Sequence, residues 1–323
     1  MENYHEKLNK KKVLVTGGLG FVGHNLVKNL VDEYDCEVTV IDNCSNSSPN
    51  ILKDYLGKIN FIQGDILDLD DYTDLLEKVN FIFHLACIQI AASSKDPELD
   101  LQVNAKSTLA ILEYLKKNKP EHFERFIYTS SASVYGNNTQ FPLDEGSSKN
   151  VLSLYAATKL LGENYTLIYG NSYNVPVSVV RYSNVYGFGQ TPENNYCGVL
   201  GRFIFNAINN RPLQVIGDGE QTRDYTFITD AVKATVLAAI HPAAINQAFN
   251  IGTSTNVSVN KLVELIKDNF GDVKVENISE RDIDNIRHRY VSIEKIRQTI
   301  GWSPIINLQE GIRKTIADLT TNT

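Results

Sequence analysis

The sequence lacks the features that mark several large classes of protein. Its four cysteines are scattered without a CxxC pair, which argues against a zinc site and a disulfide framework and favours a reducing compartment. No apolar run approaches the length of a membrane span, and the polar start, "MENYHEKLNKKK", has no apolar core of a signal peptide. With a formal net charge of −7 and no basic stripe, nucleic acid is an unexpected partner. These absences predict a cytoplasmic protein without a metal, a membrane partner or a nucleic-acid partner.

What the sequence does contain is a repeated pattern of short β-rich runs separated by helical stretches. The runs are Lys12–Gly17, Glu37–Asp42, Asn60–Asp65, Phe81–Ala86, Arg125–Ser131 and Pro176–Tyr182. Most of them are near-continuous Val, Ile and Phe, which is typical of strands covered on both faces. The alternation predicts an α/β fold built on a doubly wound parallel sheet. At 323 residues, the chain has room for one large domain or two closely joined domains.

A glycine-rich stretch, "GGLGFVG", links the first predicted strand to a helix and spaces Gly17, Gly20 and Gly23 three apart. One glycine permits a tight turn, one lets a pyrophosphate approach, and one lets the helix pack, with the helix N-terminus facing the phosphates. Asp42 ends the next strand, and no arginine follows it immediately. Its carboxylate would accept hydrogen bonds from an adenosine ribose and repel a 2′-phosphate, or would only cap a turn. The predicted cofactor is therefore NAD rather than NADP. The stretch "GDIL", which contains Asp65, would hold the adenine edge or form an ordinary loop.

These signals divide the chain into two predicted domains. Residues 1–182 are expected to form an NAD-binding Rossmann domain, to which segments at about 226–253 return. Residues 183–225 and 254–323 are expected to form a smaller, mostly helical domain that binds substrate. The smaller domain would cover the carboxyl ends of the strands, where ligands bind in folds of this kind.

A tyrosine and a lysine, Tyr155 and Lys159, lie four residues apart in "SLYAATKLLGENY", on one face of a predicted helix. A free tyrosine has a pKa near 10, and bringing it near 7 requires about 4 kcal/mol of preferential stabilisation of the phenolate. The Lys159 ammonium would supply part of this, and a positively charged nicotinamide ring would supply more. Ser130, Ser131 and Ser133 follow a predicted strand. A hydroxyl there would hydrogen-bond the reacting oxygen, or would simply form a turn at the strand end.

Taken together, these motifs resemble those of the extended short-chain dehydrogenase/reductase family, and within it the nucleotide-sugar epimerases and dehydratases. The resemblance covers nearly the whole chain. The matching stretches are "TGGLGFVG" (Thr16–Gly23), "IDN" (Ile41–Asn43), "GDI" (Gly64–Ile66), "HLAC" (His84–Cys87), "SSASVYG" (Ser130–Gly136), "YAATK" (Tyr155–Lys159), "RYSNVYG" (Arg181–Gly187) and "RDYTFITD" (Arg223–Asp230). The family usually has alanine where Cys87 stands, and His84 is better interpreted as a strand residue of the motif than as a lone catalytic base.

The resemblance implies a mechanism and a set of site residues. Tyr155, as the phenolate, would remove a proton from a sugar hydroxyl while a hydride moves to NAD. Lys159 would lower the tyrosine pKa and hold the nicotinamide ribose, and Ser131 would orient the hydroxyl. The implied NAD contacts are Gly17, Gly20, Phe21, Val22, Gly23, Asp42, Asn43, Asp65, Ile66, Leu85, Ala86, Asn104, Tyr155 and Lys159. The implied contacts with a nucleotide-diphosphate sugar are Ser133, Asn184, Val199, Arg223, Arg281, Arg287 and Arg289. A homodimer is implied too, through the helices near Ala105–Lys117 and Tyr155–Tyr169.

Ala132 and Ser133, which follow the predicted strand Arg125–Ser131, favour one branch of the family. A 4,6-dehydratase needs two further ionisable groups, and its relatives carry an Asp-Glu pair where this chain has Ala132 and Ser133. The decarboxylases of UDP-glucuronate typically carry a glutamate where Ser133 stands. The pattern therefore favours a 4-epimerase of UDP-hexoses that acts through a transient 4-keto sugar. A dehydratase or decarboxylase, a keto-sugar reductase and a non-catalytic NAD-binding protein are the alternatives.

Arginines in "ERDIDNIRHRY" are expected to meet the diphosphate, because the arginine fork suits phosphate geometry. A salt-bridged surface loop is the alternative. The epimerases use a residue of this region to decide whether an N-acetyl group fits, and that position falls on Arg289, or on Tyr290 if the register slips by one. An arginine there would favour an acidic sugar such as a uronate, or would face phosphate. The sequence leaves the identity of the sugar open.

Overall fold

The computed structural model describes residues 4–190, 198–279 and 286–321. Its strands are β1 (Lys12–Thr16), β2 (Glu37–Asp42), β3 (Asn60–Gln63), β4 (Phe81–His84), β5 (Arg125–Ser131), β6 (Val177–Tyr182), β7 (Asn184–Tyr186), β8 (Leu213–Ile216), β9 (Thr222–Arg223), β10 (Tyr225–Phe227), β11 (Gln247–Ile251), β12 (Val257–Ser258), β13 (Val275–Ile278) and β14 (His288–Arg289). Its α-helices are α1 (Phe21–Asp32), α2 (Thr73–Leu76), α3 (Ile90–Ser93), α4 (Pro97–Leu101), α5 (Ser107–Asn118), α6 (Leu154–Tyr173), α7 (Val199–Ile208), α8 (Ile228–Ile240), α9 (Val259–Phe270), α10 (Glu294–Ile300) and α11 (Leu308–Thr321).

Seven parallel strands form the central sheet, in the order β11-β6-β5-β4-β1-β2-β3. The order reverses direction next to β1, which is the switch point at which dinucleotides bind in doubly wound folds. All six strands predicted from the first half of the chain are present in this sheet, which confirms the predicted fold class. The division of the chain into two domains stays a prediction.

Apolar residues on both faces of the sheet explain why the strands are near-continuous in sequence. Val13 and Val15 point into a core that also holds α1 and α8. Leu14, between them, points into a second core built with α5 and α6. All three side chains are buried, as expected for strands sandwiched between helical layers.

The predicted runs extend past the strands at their carboxyl ends. β1 ends at Thr16, β3 at Gln63 and β4 at His84, because the chain there leaves the sheet to form loops. Gly17, for example, has a φ of +69°, a left-handed conformation that a strand does not contain. These loops lie together at one edge of the sheet and form the site described below.

The smaller part of the molecule contains more β-structure than predicted. β9 is the middle strand of a three-stranded sheet with β12 and β14, and β8 pairs with β13. The helices α7, α9 and α11 pack against one another beside these strands. The predicted helix-rich tail is therefore a mixed layer of helices and short strands. Across the described ranges, no helix is both long enough and apolar enough to cross a lipid bilayer.

Candidate active site

The glycine-rich loop between β1 and α1 is packed too closely to accept side chains at two positions. A Cβ atom on Gly23 would lie 2.3 Å from the carbonyl oxygen of Gly17, and one on Gly17 would lie 2.7 Å from the backbone nitrogen of Ala86. Real Cβ contacts do not come this close, so both positions require glycine. The result is a bare backbone turn directly before the N-terminus of α1, which is the arrangement that receives a pyrophosphate.

Two acidic residues lie beside this loop and organise its neighbours. Asp42 ends β2, and its two carboxylate oxygens accept hydrogen bonds from the backbone nitrogens of Leu19 at 3.0 Å and Cys44 at 2.9 Å. Burial raises the pKa of Asp42 above its ordinary value, while those two hydrogen bonds lower it. Asp65 accepts a hydrogen bond from the Asn43 side chain at 2.9 Å. The structure therefore shows the turn-capping role of Asp42, and Asp42 lines the same cavity as the glycine loop.

One cavity of about 1730 Å³ collects nearly all of the predicted site residues. Lining it are Gly17, Gly20, Phe21, Val22, Gly23, Asp42, Asn43, Asp65, Ile66, Leu85, Ala86, Ser131, Ser133, Tyr155, Lys159, Asn184, Val199, Arg223, Arg287 and Arg289. Arg281 lies outside the described residues. Asn104 is buried one layer behind the wall, where its amide exchanges two hydrogen bonds with the backbone of Ile88, at 2.7 and 3.0 Å. Asn104 thus shapes the wall through Ile88 rather than facing the cavity itself.

Tyr155 and Lys159 are placed by the first turns of α6. The hydroxyl of Ser153 caps the helix by accepting a hydrogen bond from the backbone nitrogen of Ala156 at 3.2 Å. The helix then carries Tyr155 and Lys159 on one face, and both line the cavity opposite the end of β5. Lys159 is only 2% exposed, with its Nζ 4.6 Å from the ring centre of Tyr128.

Ser131 ends β5 beside Tyr155 and lowers the pKa of that phenol. Its Oγ accepts a hydrogen bond from the backbone nitrogen of Ser133 at 3.1 Å, so the hydroxyl proton stays available as a donor in the cavity. The strand-end turn that the sequence offered as one alternative is therefore present, and the contact of a serine hydroxyl with the reacting oxygen stays a prediction. A donor to the phenol oxygen favours the phenolate.

The surroundings of Tyr155 push its pKa in both directions. Burial is the largest influence and raises the pKa above its ordinary value, and the neighbouring Cys87 and Asp100 raise it further. The hydrogen bond from Ser131 and the positive charge of Arg289 lower it. For Lys159, burial lowers the pKa, and the neighbouring Cys87, Asp100 and Glu163 raise it. The net effect on Tyr155 is a raised pKa, so these residues alone favour the protonated phenol.

The arginines on the opposite wall have different surroundings. Arg223 and Arg289 are partners in the parallel pairing of β9 with β14. The Nη1 of Arg223 donates to the backbone oxygens of Thr222 and Ile286, both at 2.8 Å. Arg287 is exposed and forms a two-pronged ion pair with Asp218, at 2.7 and 2.8 Å. The surface salt bridge that the sequence offered as an alternative is therefore present at Arg287, although the residue also lines the cavity.

Arg289, and not Tyr290, belongs to the cavity wall built by the described residues. Arg289 is 8% exposed. The ring of Tyr290 stacks on Phe141 instead, with ring centres 5.3 Å apart. Arg289, the residue of the unslipped register, therefore lines the cavity, and its role in selecting the sugar stays a prediction.

Sequence reasoning missed Asp100 and gave Cys87 no role. Asp100 is buried behind α6, and Cys87 lines the cavity beside Tyr155 and Lys159. The spacing of Asp100 and Asn104, four residues apart before a predicted helix, is a signal that could have revealed a shared face. His84, in turn, is a buried strand residue whose Nδ1 lies 2.8 Å from the Thr16 hydroxyl, and burial lowers its pKa to about 3. It does not line the cavity formed by the described residues.

Fold and site together define a dinucleotide-binding protein of the short-chain dehydrogenase/reductase type. The chain belongs to the NAD dependent epimerase/dehydratase family, whose model matches residues 13–252. It is 34% identical to a putative UDP-glucose 4-epimerase of Methanocaldococcus jannaschii, over 96% of this chain and 99% of the relative. It is also 34% identical to a UDP-glucose 4-epimerase of Mycolicibacterium smegmatis, over 94% of this chain and 97% of the relative.

Solved structures agree with this membership. An epimerase of Methanothermobacter thermautotrophicus superposes with a TM-score of 0.92 at 34% identity, covering 99% of this chain and 95% of that one. A UDP-glucose 4-epimerase of Thermotoga maritima, solved with UDP-glucose, superposes with a TM-score of 0.89 at 30% identity, covering 96% and 99%. Dehydratases and decarboxylases of nucleotide sugars are also among the relatives, and some of the solved neighbours contain NAD with a UDP-sugar.

Proposed function

We propose that this protein is an NAD-dependent 4-epimerase of a nucleotide-diphosphate sugar, with a UDP-hexose as the substrate. The observation that carries the proposal is the meeting of Ser131, Tyr155 and Lys159 with the glycine loop in one cavity. The described lining residues include two carboxylates, Asp42 and Asp65, and both lie at the glycine-loop end. Beside Ser131 stand Ala132 and Ser133, which offer no second acid or base for a dehydration.

The residues of this chain would divide the reaction as follows. Tyr155 would accept the proton of the sugar C4 hydroxyl, with Ser131 donating to the same oxygen and holding it in place. Lys159 would contribute positive charge from the same helix face of the cavity, and Arg289, whose charge lowers the pKa of Tyr155, would contribute it from β14. NAD, when bound, would supply a positive ring charge and a reversible acceptor for the hydride of the sugar C4. Tyr155 then returns the proton to the C4 oxygen.

The raised pKa of Tyr155 sets a condition on this division of roles, because the ligand-free site disfavours the phenolate. Without ligands the phenol favours its protonated form, because burial outweighs the Ser131 hydrogen bond and the charge of Arg289. The base would then become active only in a loaded site.

Assembly and location belong to the same proposal. We place the enzyme in the cytoplasm as a homodimer, on the basis of the family resemblance. A uronate remains one of the candidate sugars, because Arg289 stands on the wall opposite Tyr155.

The test is an assay of the native protein with NAD and a panel of UDP-glucose, UDP-N-acetylglucosamine, UDP-glucuronate and dTDP-hexoses, with products followed by NMR. The proposal expects a mixture of one substrate and its C4 epimer without net NADH. Tyr155→Phe should lose nearly all turnover and still bind NAD. Tyr165→Phe, in the same helix, is the matched control and should retain full turnover.

Other outcomes would redirect or reject the proposal. Loss of water or carbon dioxide from a sugar would assign the dehydratase or decarboxylase branch. Stoichiometric consumption of NADH would assign a keto-sugar reductase. No turnover of any sugar, together with tight NAD binding, would point to a non-catalytic NAD-binding protein.

A further inference from the structure

Asp100, in α4, is a fully buried carboxylate that the proposed reaction does not use. Its exposed fraction is 0%. Its oxygens accept hydrogen bonds from the Ser93 hydroxyl at 2.7 Å, the Asn104 amide at 2.6 Å and the Thr158 hydroxyl at 3.0 Å. All three partners are neutral donors. Among the described residues, no lysine or arginine forms an ion pair with it.

The hydrogen bonds around Asp100 fit the charged carboxylate. The Asn104 amide has two protons, and the backbone oxygen of Ile88 and Asp100 account for both. Its own oxygen accepts from the backbone nitrogen of Ile88, which fixes the amide with its protons toward Asp100. Asn104 reaches both partners from a π-helical turn, Gln102–Lys106, a kind of turn that is frequent at functional sites. A carboxylate surrounded by donors is stabilised in its ionised form.

Asp100 is tied directly to the helix turn that carries Tyr155 and Lys159. Thr158 precedes Lys159, and its hydroxyl lies 3.0 Å from Asp100 and 3.1 Å from the backbone oxygen of Tyr155. On the other side of Lys159, the Tyr128 hydroxyl donates to the backbone oxygens of Asn104, at 3.2 Å, and of Lys159, at 3.3 Å. The carboxylate, the amide and the helix turn are therefore one connected unit.

Several other titratable groups face Lys159. Glu163, one turn further along α6, is held by a cation already, since the Nε of Arg181 donates to its two oxygens at 3.1 and 3.0 Å. His84 is neutral at physiological pH, because burial lowers its pKa to about 3. Burial raises the pKa of Tyr128 well above its ordinary value, so that phenol is neutral too.

Three further groups lie around Lys159. Tyr155 shares the helix face with Lys159, and the charge of Arg289 acts on Tyr155. Cys87 is close to both Tyr155 and Lys159 and can supply negative charge only as the thiolate. Asp100 is therefore a carboxylate near Lys159 whose hydrogen-bonding partners carry no positive charge of their own.

We propose that Asp100 is the buried counter-charge that keeps the Lys159 ammonium protonated beneath Tyr155, and that Asn104 and Thr158 hold the two in register. Asp100 is a positioning residue, because it does not line the cavity. Burial alone lowers the pKa of Lys159, and Asp100 is among the groups that raise it. This role rests on the proposed function, in which Lys159 must remain charged.

Asp100→Asn is a suitable perturbation, because asparagine can keep the hydrogen bonds and remove only the charge. Its oxygen can accept from Ser93 and Asn104, and its amide can donate to the Thr158 hydroxyl. Asp100 is among the groups that raise the pKa of Lys159, and at an effective dielectric of about 20 the charge of a nearby buried group shifts a pKa by about one unit or more. The pKa of Lys159 should therefore fall by about one unit or more in the variant. Ser93→Ala, which removes one hydrogen bond but keeps the charge, is the matched control and should leave the pKa of Lys159 unchanged.

The measurement is an NMR titration of the full-length protein labelled with ¹⁵N at the lysine Nζ, with Lys159→Met used to assign the Lys159 signal. It reports the protonation of Lys159 whether or not any sugar is turned over, so a failure of the proposed function leaves it informative. The pH profile of turnover on the sugar accepted by the native enzyme is the second readout, and its alkaline limb should move to lower pH in Asp100→Asn.

An unchanged titration of Lys159 in a folded Asp100→Asn variant would overturn the proposal. So would a larger shift in Cys87→Ala than in Asp100→Asn, which would transfer the role to the thiol. If Asp100→Asn does not fold, Asp100→Ser, which keeps a hydroxyl for the Asn104 amide, is titrated in its place. If neither charge-free variant folds while Ser93→Ala does, Asp100 is a purely structural residue and the proposal fails.

Discussion

Replacing Asp42 by asparagine tests the assignment of NAD as the cofactor. The two carboxylate oxygens of Asp42 already accept hydrogen bonds from the backbone nitrogens of Leu19 and Cys44. Each oxygen has a further lone pair, and the ribose hydroxyls of a bound NAD would be the partners. Asp42→Asn keeps the size of the side chain and one acceptor, and it removes the charge.

The size of the effect follows from the kinds of hydrogen bond that are exchanged. A hydrogen bond to a charged group contributes about 1.5–3 kcal/mol, and one between neutral groups about 0.5–1.5 kcal/mol. Replacing the charged acceptor of two ribose hydroxyls by a neutral one should therefore weaken NAD binding by about 2 kcal/mol. This corresponds to about a 30-fold increase in the Kd for NAD. The same change removes the repulsion of a 2′-phosphate, so NADP should bind at least about 10-fold more tightly than it does to the native protein.

The assay is calorimetric titration of nucleotide-free protein with NAD and with NADP at one fixed ionic strength, because surface electrostatics depend on salt. Glu37→Gln, at the opposite end of β2, removes the same charge far from the loop and should leave both affinities unchanged. The reasoning would be refuted if the native protein bound NADP as tightly as NAD. It would also be refuted if Asp42→Asn kept the native preference for NAD over NADP.

Three further predictions concern stability. Gly23→Ala should abolish nucleotide binding and lower the melting temperature, because its Cβ would lie 2.3 Å from the Gly17 oxygen; a variant with normal NAD affinity would contradict the close packing. Glu163→Gln should cost about 3–5 kcal/mol in denaturant unfolding, because it leaves the buried Arg181 without its anion; a loss below about 1 kcal/mol would contradict this. Burial raises the pKa of Asp224 from 3.8 to about 6. Its contribution to stability is therefore complete below pH 4 and lost as the pH rises through 6, by about 3 kcal/mol. The free energy of unfolding of the native protein relative to Asp224→Asn should fall by that amount between pH 4 and 7, and a constant difference would disprove the shift.

The central sheet could be predicted from sequence because its strands are buried on both faces and therefore read as continuous apolar runs. The site could be predicted for a related reason. Parallel strands all end at one edge, so residues that follow them, such as Asp42 and Ser131, must come together there. Tyr155 and Lys159 needed only the period of a helix to be placed on one face.

The short strands of the smaller part gave no such signal. β9 and β14 contain two residues each, and their pairing depends on segments far apart in the chain. That pairing, rather than any local pattern, decides that Arg289 faces the cavity while its neighbour Tyr290 stacks on Phe141. Asp100 was missed for a similar reason. An acidic residue in a short polar helix resembles a solvated one, and its burial depends on where α6 packs.

The position of β11 in the chain determines when the central sheet can be completed during synthesis. This strand completes the sheet beside β6, yet it follows the whole of segment 183–246 in the chain. When a ribosome has exposed only the first 182 residues, the outer strand of the sheet is β6, and the backbone groups of Ser178–Tyr182 that pair with β11 in the finished protein have no partner strand. Such a fragment should aggregate rather than fold, because the pairing that protects it has not yet been synthesised. The predicted nucleotide-binding and substrate-binding domains are therefore not exchangeable modules, because any replacement for the second must still return a strand beside β6.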